Sequence, residues 1–300
     1  MELVSFTPQT VKSMTLPMQE MRLMPIGDIQ YGAQGCDVER LKAHLKWGME
    51  QNCYFIGMGD YVDQMSPSNR KAYSSIMASL YDSAREAVDE GIEAKRKELE
   101  KILAPTKGRW LGLIQGHHQW VFASGDTTDS RLAGFLGCPL LGDCAMVVLR
   151  MESLRRGKGG RSGTGSKLHV PVKIWAHHGQ GSGQTAAAAL TKLEHAAKRF
   201  FADIYLMGHY HTKPAVPVPW IDFDVDAKGR VRFNSRNRYL VATGGFLKGY
   251  EEGTKNAMGL PTGSYIEKAM LAPVTLGGPV IYIRPRERSG RPSVDINVSI

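Results

Sequence analysis

The stretch CYFIGMGDYVD, residues 53–63, sets a short apolar run against a glycine and then a carboxylate, Asp60. An apolar run of this length closed by a small residue reads as a strand covered on both faces, with the carboxylate where the strand ends. The same design recurs four more times. Residues 21–27 (MRLMPIG) precede Asp28, 109–116 (RWLGLIQG) precede His117, 172–176 (VKIWA) precede His177, and 202–208 (ADIYLMG) precede His209. Helical patterns lie between them. Asp37 is placed to cap a helix carrying Val38, Leu41, Leu45 and Met49, and Thr185 one carrying Leu190, Leu193, Ala197 and Phe200. Strands alternating with helices indicate an α/β layered fold.

The longest helical pattern runs from about residue 69 to 103, where Ile76, Leu80, Ala84, Ala87, Ile92, Leu99 and Ile102 recur near the helical period. Ser66, Pro67 and Ser68 supply its start signal and Pro105 its stop, while Gly91 predicts a break or two helices. A packing helix is the plainer reading and a lid over Asp60 the alternative. Residues 155–167 (RRGKGGRSGTGSK) are too rich in glycine and charge to pack and predict a loop. Its Arg155, Arg156, Lys158, Arg161 and Lys167 either meet phosphates or sit in a solvated hairpin tip. After His211 the texture turns to strands and turns: DFDVD, AKG, RVRF, NSRN, RYLVATGGF, VIYIRP and VDINVSI. With no linker before them, they are expected to complete a second sheet rather than to form a separate domain.

Composition narrows the class. The 300 residues carry 38 Lys+Arg against 29 Asp+Glu, a formal charge of +9, with 42% hydrophobic and 22% charged residues, which excludes disordered, collagenous and disulfide-scaffold chains. Four separated cysteines without a CxxC pair point to reduced thiols. No stretch of 18 apolar residues occurs and the start, MELVSFTPQT, lacks signal-peptide character, so the expectation is a cytoplasmic protein with no membrane partner. The basic balance leans toward an anionic partner, nucleic acid or a phosphorylated substrate.

Six of the nine histidines (His117, His118, His177, His178, His209, His211) follow predicted buried strands, as do Asp28 and Asp60. Strand ends gather distant residues into one crevice. Two carboxylates and several imidazoles converging without Lys or Arg in the same motifs face a desolvation penalty that bound cations relieve. Mixed Asp and His donors suit Mn, Fe or Zn better than Ca, and a carboxylate between two cations can bridge them, as in two-metal hydrolytic sites. Hydrolysis of a phosphate ester is the reaction such a pair serves. HExxH and Cys-rich sites are missing from the sequence, which sets aside other zinc hydrolases.

In order and spacing these motifs resemble the calcineurin-like metallophosphoesterase superfamily, in its phage and bacterial form. The family pattern D-x-H, G-D-x-x-D, G-N-H-D/E, strand-end His and G-H-x-H stands here as Gly27-Asp28-Ile29-Gln30, Gly59-Asp60-Tyr61-Val62-Asp63, Gly116-His117-His118-Gln119, Ala176-His177-His178-Gly179 and Gly208-His209-Tyr210-His211, over residues 24–212. The resemblance implies a four-layer α/β/β/α sandwich of two mixed sheets flanked by helices. Residues 1–300 would form a single domain, with the helical insertion at about 69–103 and a β-rich part at about 214–300. It implies Asp28 and His211 as ligands of a first metal, Asp60 as the bridging carboxylate, and His209 with His178 or His177 on a second. His178 is favoured because it opens an H-G-x-G-x-G run.

His118 corresponds to the family histidine near the leaving group, the catalytic residue of this reading. Gln30 replaces the family's first-motif histidine, a poorer ligand for a soft cation, so that position would hold its ion weakly or take a harder one. His117 replaces the family's Asn and keeps a ligand position with a nitrogen donor. Gln119 replaces the acidic residue after the catalytic histidine, so a carboxylate partner for His118 is missing at that position. Asp63 is read as no metal ligand but as a residue that either supports the ligands from behind or is structural, and Tyr61, Tyr210 and Trp120 as core in preference to cleft lining.

The implied activity is that of a binuclear hydrolase holding two divalent ions, Mn first, with Fe, Zn and Mg as alternatives. A metal-bound hydroxide attacks phosphorus while His118 assists departure of the leaving oxygen. The basic loop and the arginines Arg230, Arg232, Arg236, Arg238, Arg284, Arg286, Arg288 and Arg291 favour a phosphodiesterase or nuclease acting on DNA. The alternatives are a small-molecule phosphatase and a catalytically weakened relative that binds nucleic acid or protein.

Overall fold

The computed structural model describes residues 10–63, 79–154, 167–181, 183, 185–225, 229–256, 258–263, 265–268, 270, 272–288 and 291–300. In chain order the strands are β1 (Thr10–Pro17), β2 (Met21–Ile26), β3 (Tyr54–Gly57), β4 (Trp110–Ile114), β5 (Leu140–Gly142), β6 (Cys144–Leu154), β7 (Lys167–His177), β8 (Ile204–Met207), β9 (Ala215–Val225), β10 (Val231–Ala242), β11 (Val280–Arg288) and β12 (Arg291–Ser299). The helices are α1 (Val38–Glu50), α2 (Asp82–Leu103), α3 (Thr128–Leu136), α4 (Ala186–Ala197) and the short α5 (Tyr265–Lys268).

Two six-stranded sheets result, one in the order β1-β6-β7-β8-β10-β9 and the other β12-β11-β2-β3-β4-β5. Both are mixed: β2, β3, β4 and β5 run parallel with β11 antiparallel to β2, and β7, β8 and β10 run parallel between antiparallel β6 and β9. The strand period of two sorts side chains between the faces. Ile56, Met58, Leu111, Ile174, Ala176 and Leu206 point between the sheets and meet Val147, Leu149, Ile281 and Ile283 in a shared core. On the other face of the β2-β3-β4 sheet, Met24, Ile26, Phe55 and Leu113 pack on Leu41 and Leu45 of α1, Leu99 and Leu103 of α2, and Leu132 of α3. On the far face of the second sheet, Trp175, Tyr205 and Leu240 receive Ala189 and Leu193 of α4. The layers are therefore helix, sheet, sheet, helix, and each fully buried Leu, Ile or Phe at these interfaces contributes about 1.5–3 kcal/mol.

The expected caps are in place. Asp37 accepts the Arg40 N–H at 2.9 Å and Thr185 the Ala188 N–H at 3.2 Å. The structure departs from the sequence expectations at four places. Gly91 lies within a continuous α2, because nothing approaches within 4 Å of the space a Cβ would fill and the helix face is exposed there. The interruption falls earlier, at Leu80–Tyr81, and residues 69–78 with the start signal at 66–68 lie outside the described residues. NSRN is no turn: β10 runs unbroken through it because β9 pairs with it over eleven positions. The C-terminal strands complete both sheets rather than one, and β1 is a strand the apolar pattern does not announce. The glycine-rich stretch 155–166 also lies outside the described residues. All four cysteines are free thiols.

Helix α2 is fastened to α3 by charge as well as by apolar contact. The Glu93 carboxylate accepts from Arg96 at 2.6 Å and, across to α3, from Arg131 at 3.0 Å, while Arg96 also pairs with Glu100. The Arg96 hydrogen bond foremost, opposed by burial and aided by Arg131, lowers the Glu93 pKa from 4.5 to about 2. A carboxylate with a depressed folded-state pKa stabilises above its unfolded pKa, and this stability is lost as pH falls through the folded value. Glu93→Gln should therefore cost about 2 kcal/mol at neutral pH. In urea unfolding, the gap between variant and wild type should shrink as pH falls from 4.5 toward about 2. A gap that does not change with pH contradicts the ion-pair account.

Candidate metal centre

The strand ends of β2, β3, β4, β7 and β8 meet at one edge of the sandwich, and their following loops are strapped together by backbone bonds. The Asp28 N–H donates to Gly59 O at 2.9 Å, Gln30 N–H to Asp60 O at 3.0 Å, and Phe246 N–H to Asp28 O at 2.9 Å. Glycines allow this approach. A Cβ on Gly116 would lie 2.0 Å from the Asp60 nitrogen, and one on Gly59, whose φ is +93°, would lie 2.5 Å from Nδ1 of His178. Of the seven non-glycine residues with positive φ among the described residues, five are Asp28, Gln30, Asp60, His209 and His211. Strain of about 1–3 kcal/mol at each such residue persists only where surrounding structure holds it, and it concentrates at functional sites.

Asp60 is 2% exposed and is the hub. Its Oδ1 accepts the backbone N–H groups of His117 at 2.5 Å and His118 at 3.0 Å. Its Oδ2 lies 3.1 Å from Nε2 of His178 and 3.3 Å from Nε2 of Gln30, which donates to it. His178 Nδ1 sits 2.7 Å from the Met58 carbonyl, an arrangement that puts the ring proton on Nδ1 and leaves the lone pair on Nε2. That Nε2 is buried and, though close to Asp60, is not aligned for a hydrogen bond. His209 is oriented likewise, its Nε2 donating to Gly181 O at 2.6 Å, which frees Nδ1. Asp28, wholly buried, accepts the His209 backbone N–H on Oδ2 at 2.8 Å, while its Oδ1 has no hydrogen-bond partner and stands 3.6 Å from His211 Nε2.

Two groups of donor atoms follow, each within 4.8 Å: His117 with His178 and His209, and Asp28 with Asp60 and His178. The three imidazoles meet edge to face, with centroids 4.6 Å apart for His117 and His178 and 5.1 Å for His117 and His209. His211 joins at Asp28, and Gln30 joins at Asp60 through its amide nitrogen. His177 stands apart: its ring stacks on Trp175 at 5.8 Å and its Nδ1 accepts the Gly179 N–H at 2.8 Å. His118 Nδ1 lies 2.8 Å from Oδ1 of Asp63, and its Nε2 3.8 Å from Oδ2 of Asp60. Tyr61, Trp120 and Tyr210 are buried in the core.

The electrostatics show a site short of positive charge. Burial raises the Asp28 pKa against the attraction of His211. Burial acts the same way on Asp60, but His178 and the amides of the His117–His118 turn prevail and hold it below the ordinary carboxylate range. Burial depresses His178, and the Asp60 charge more than offsets this, pushing it up to about 9. His117 falls to about 4 through burial and the neighbouring His178. Burial also opposes charge on His118, yet the Asp63 hydrogen bond wins and its pKa is raised. Orphaned acceptors on Asp28 and lone pairs on oriented imidazoles fit one or more divalent cations; this buried Asp/His cluster can hold metal ions.

Two residues go beyond the sequence reading. Asp63 supplies His118 with the carboxylate that Gln119 does not, since Gln119 instead accepts from the Gln115 amide at 2.8 Å. Its signal is the three-residue step from Asp60, which returns it to the same loop. Asp129 at the start of α3 is 1% exposed and accepts the Gly116 N–H at 3.0 Å, which pins the turn carrying His117 and His118. Nothing in its sequence neighbourhood marks it. Among the expected phosphate-facing arginines, Arg236, Arg284 and Arg286 are engaged by Asp203 at 3.4 Å, Glu20 at 2.6 Å and Asp295 at 2.7 Å. Arg238 is buried, and the side chains of Arg232, Arg288 and Arg291 lie outside what is described.

No helix among the described residues is long and apolar enough to cross a membrane. No protein-family model matches the chain, and no curated protein sequence matches it. Solved structures similar to it include Vacuolar Protein Sorting 29 from Cryptosporidium parvum, at 12% identity over 94% of this chain and 98% of that one with a TM-score of 0.35. They also include a conserved uncharacterized protein, a predicted phosphoesterase, from Streptococcus pneumoniae TIGR4, at 11% identity over 93% and 99% with a TM-score of 0.32. Vps29 from Chaetomium thermophilum is similar at 8% identity over 93% and 97%, with a TM-score of 0.32. The layering described above rests on this chain's own sheet order and apolar clusters.

Proposed function

We propose that the chain is a metal-dependent phosphoesterase of the calcineurin-like kind. The observation that carries this reading is Asp60, a buried carboxylate with one oxygen anchored by two backbone amides and the other, which accepts only a 3.3 Å bond from Gln30, facing the unpartnered Nε2 of His178. Asp28, Gln30, Asp60 and His211 would hold one divalent ion, and Asp60, His117, His178 and His209 the other, with Mn first among Mn, Fe, Zn and Mg. Such ions supply neutralisation of phosphoryl oxygens and a lowered pKa for a bound water.

The chain's own groups do the rest. Met58 O and Gly181 O fix the His178 and His209 rings. Asp129 fixes the His117–His118 turn. His118, held by Asp63, hands a proton to the departing oxygen, and the same hydrogen bond steadies the ring as charge builds on it. The net charge of +9 supports an anionic ester. A phosphodiester or DNA is the first substrate class to try and a small phosphomonoester the second. One observation favours a weakened relative: Gln30 turns its NH₂, not its oxygen, toward Asp60.

Three measurements follow. With Mn supplied, aryl phosphate monoesters, diesters and oligonucleotides should include at least one turned over by wild type and not by Asp60→Asn; no turnover of any of them rejects the enzyme reading. His118→Gln should lower kcat by about 10²–10⁴-fold and Asp63→Asn by about 10–100-fold, both with metal content unchanged; equal metal loss in either would make them structural. After dialysis, wild type should retain metal, His178→Ala should retain at least about 10-fold less, and Gln30→His should retain more. Metal-free wild type grown in supplemented medium would favour the binding-module reading instead.

A further inference from the structure

On the face of β10 that packs toward α4, Arg238 is 2% exposed, yet its Nε and Nη2 have no hydrogen-bond partner. Its guanidinium carbon lies 3.5 Å from the centroid of the Trp220 ring and 4.4 Å from that of Phe201. Burying a guanidinium without an acceptor costs several kcal/mol, and each ring returns only about 0.5–2 kcal/mol. The uncompensated charge makes the patch cationic beneath its two rings. Lys173 Nζ stands 4.7 Å from the Phe201 centroid and the Arg236 guanidinium 5.0 Å, with Arg236 Nε also unpartnered.

Opposing charge is thin. Asp203 accepts the Lys173 backbone N–H at 2.8 Å and reaches Arg236 at 3.4 Å, and Asp222 is exposed two residues from Trp220. Each ring packs on a guanidinium while 39% of Trp220 and 41% of Phe201 stays open. The cluster sits beside Asp203 at the start of β8, the end opposite His209, roughly 15–20 Å from the metal centre at about 3.3 Å per residue.

We propose that this face binds single-stranded nucleic acid, with bases stacked on the open sides of Trp220 and Phe201, phosphates met by Lys173 and Arg236, and the buried Arg238 charge backing both rings from beneath. Rings alternating with cations match unpaired bases on a phosphate chain. A duplex hides its base faces, and an acidic peptide leaves the rings unused. Binding here needs no metal, so it stands or falls apart from the phosphoesterase reading.

The test is fluorescence anisotropy of a labelled twenty-residue oligothymidylate with the full chain in EDTA. Affinity should fall linearly on a log–log plot against salt, and Trp220→Ala and Lys173→Ala should each weaken it, the former by about 5- to 100-fold. Trp47→Ala, an equally exposed tryptophan on α1, should leave affinity unchanged. Arg238→Met is informative only alongside these, because a buried position can unfold. Failure to bind at low salt overturns the proposal, as does binding that ignores both Trp220→Ala and Lys173→Ala. Duplex or polyglutamate binding of equal strength, lost in the same variants, overturns it as well.

Discussion

Two carboxylates taken out of water together constrain everything at this edge of the molecule. Asp28 and Asp60 are 0% and 2% exposed, and no lysine or arginine among the described residues pairs with either. Amide donors satisfy one oxygen of each: His209 N–H for Asp28, and the His117 and His118 N–H groups for Asp60. What remains is one oxygen on each that faces imidazole nitrogens rather than a full complement of donors. A buried anion in that condition is costly unless positive charge arrives, as protons on the histidines or as cations between them. The raised pKa of His178 is the protonic answer in the absence of metal. The Met58 and Gly181 carbonyls, which leave a lone pair free on His178 and on His209, prepare the metallic one.

The fold serves that constraint through close approach. Five residues of the centre accept a left-handed backbone so that their side chains turn back over the strand ends, and glycines at 59 and 116 let neighbouring loops touch where a Cβ would collide. The resulting strain of about 1–3 kcal/mol at each such residue is offset by the two-sided core beneath, where β4 and β8 are buried along their whole length and β3 over Phe55, Ile56 and Gly57. Asp129 extends the same logic outward, since α3 holds the turn of His117 and His118 through a single buried carboxylate.

Much of this was legible in the chain. Short apolar runs closed by glycine located β2, β3, β4 and β8, because a doubly covered strand has no polar face to confuse the pattern. Asp37 and Thr185 announced their helices through capping chemistry. The convergence of Asp28, Asp60 and His209 with one of His177 and His178 followed from strand ends, and the preference for His178 from the H-G-x-G-x-G resemblance. Other features were not legible. β1 alternates polar and apolar residues in a way shared with loops, Gly91 is harmless on an exposed helix face, and NSRN extends as strand only because β9 is opposite. The Asp63–His118 pair needed three-dimensional proximity across two loops, and so did the burial of Arg238 between Trp220 and Phe201. Local pattern puts Asp63 on the loop of Asp60 but does not pair it with His118, and it says nothing of what Arg238 packs against.

The central claim is that this cluster is a cation site. Anomalous diffraction from crystals soaked in manganese tests it most directly. The account predicts an anomalous peak within bonding distance of Asp60 Oδ2 and His178 Nε2, with a second peak, of lower occupancy, between Asp28 and His211. Well-ordered Asp60 and His178 side chains with no anomalous signal beside them would contradict it.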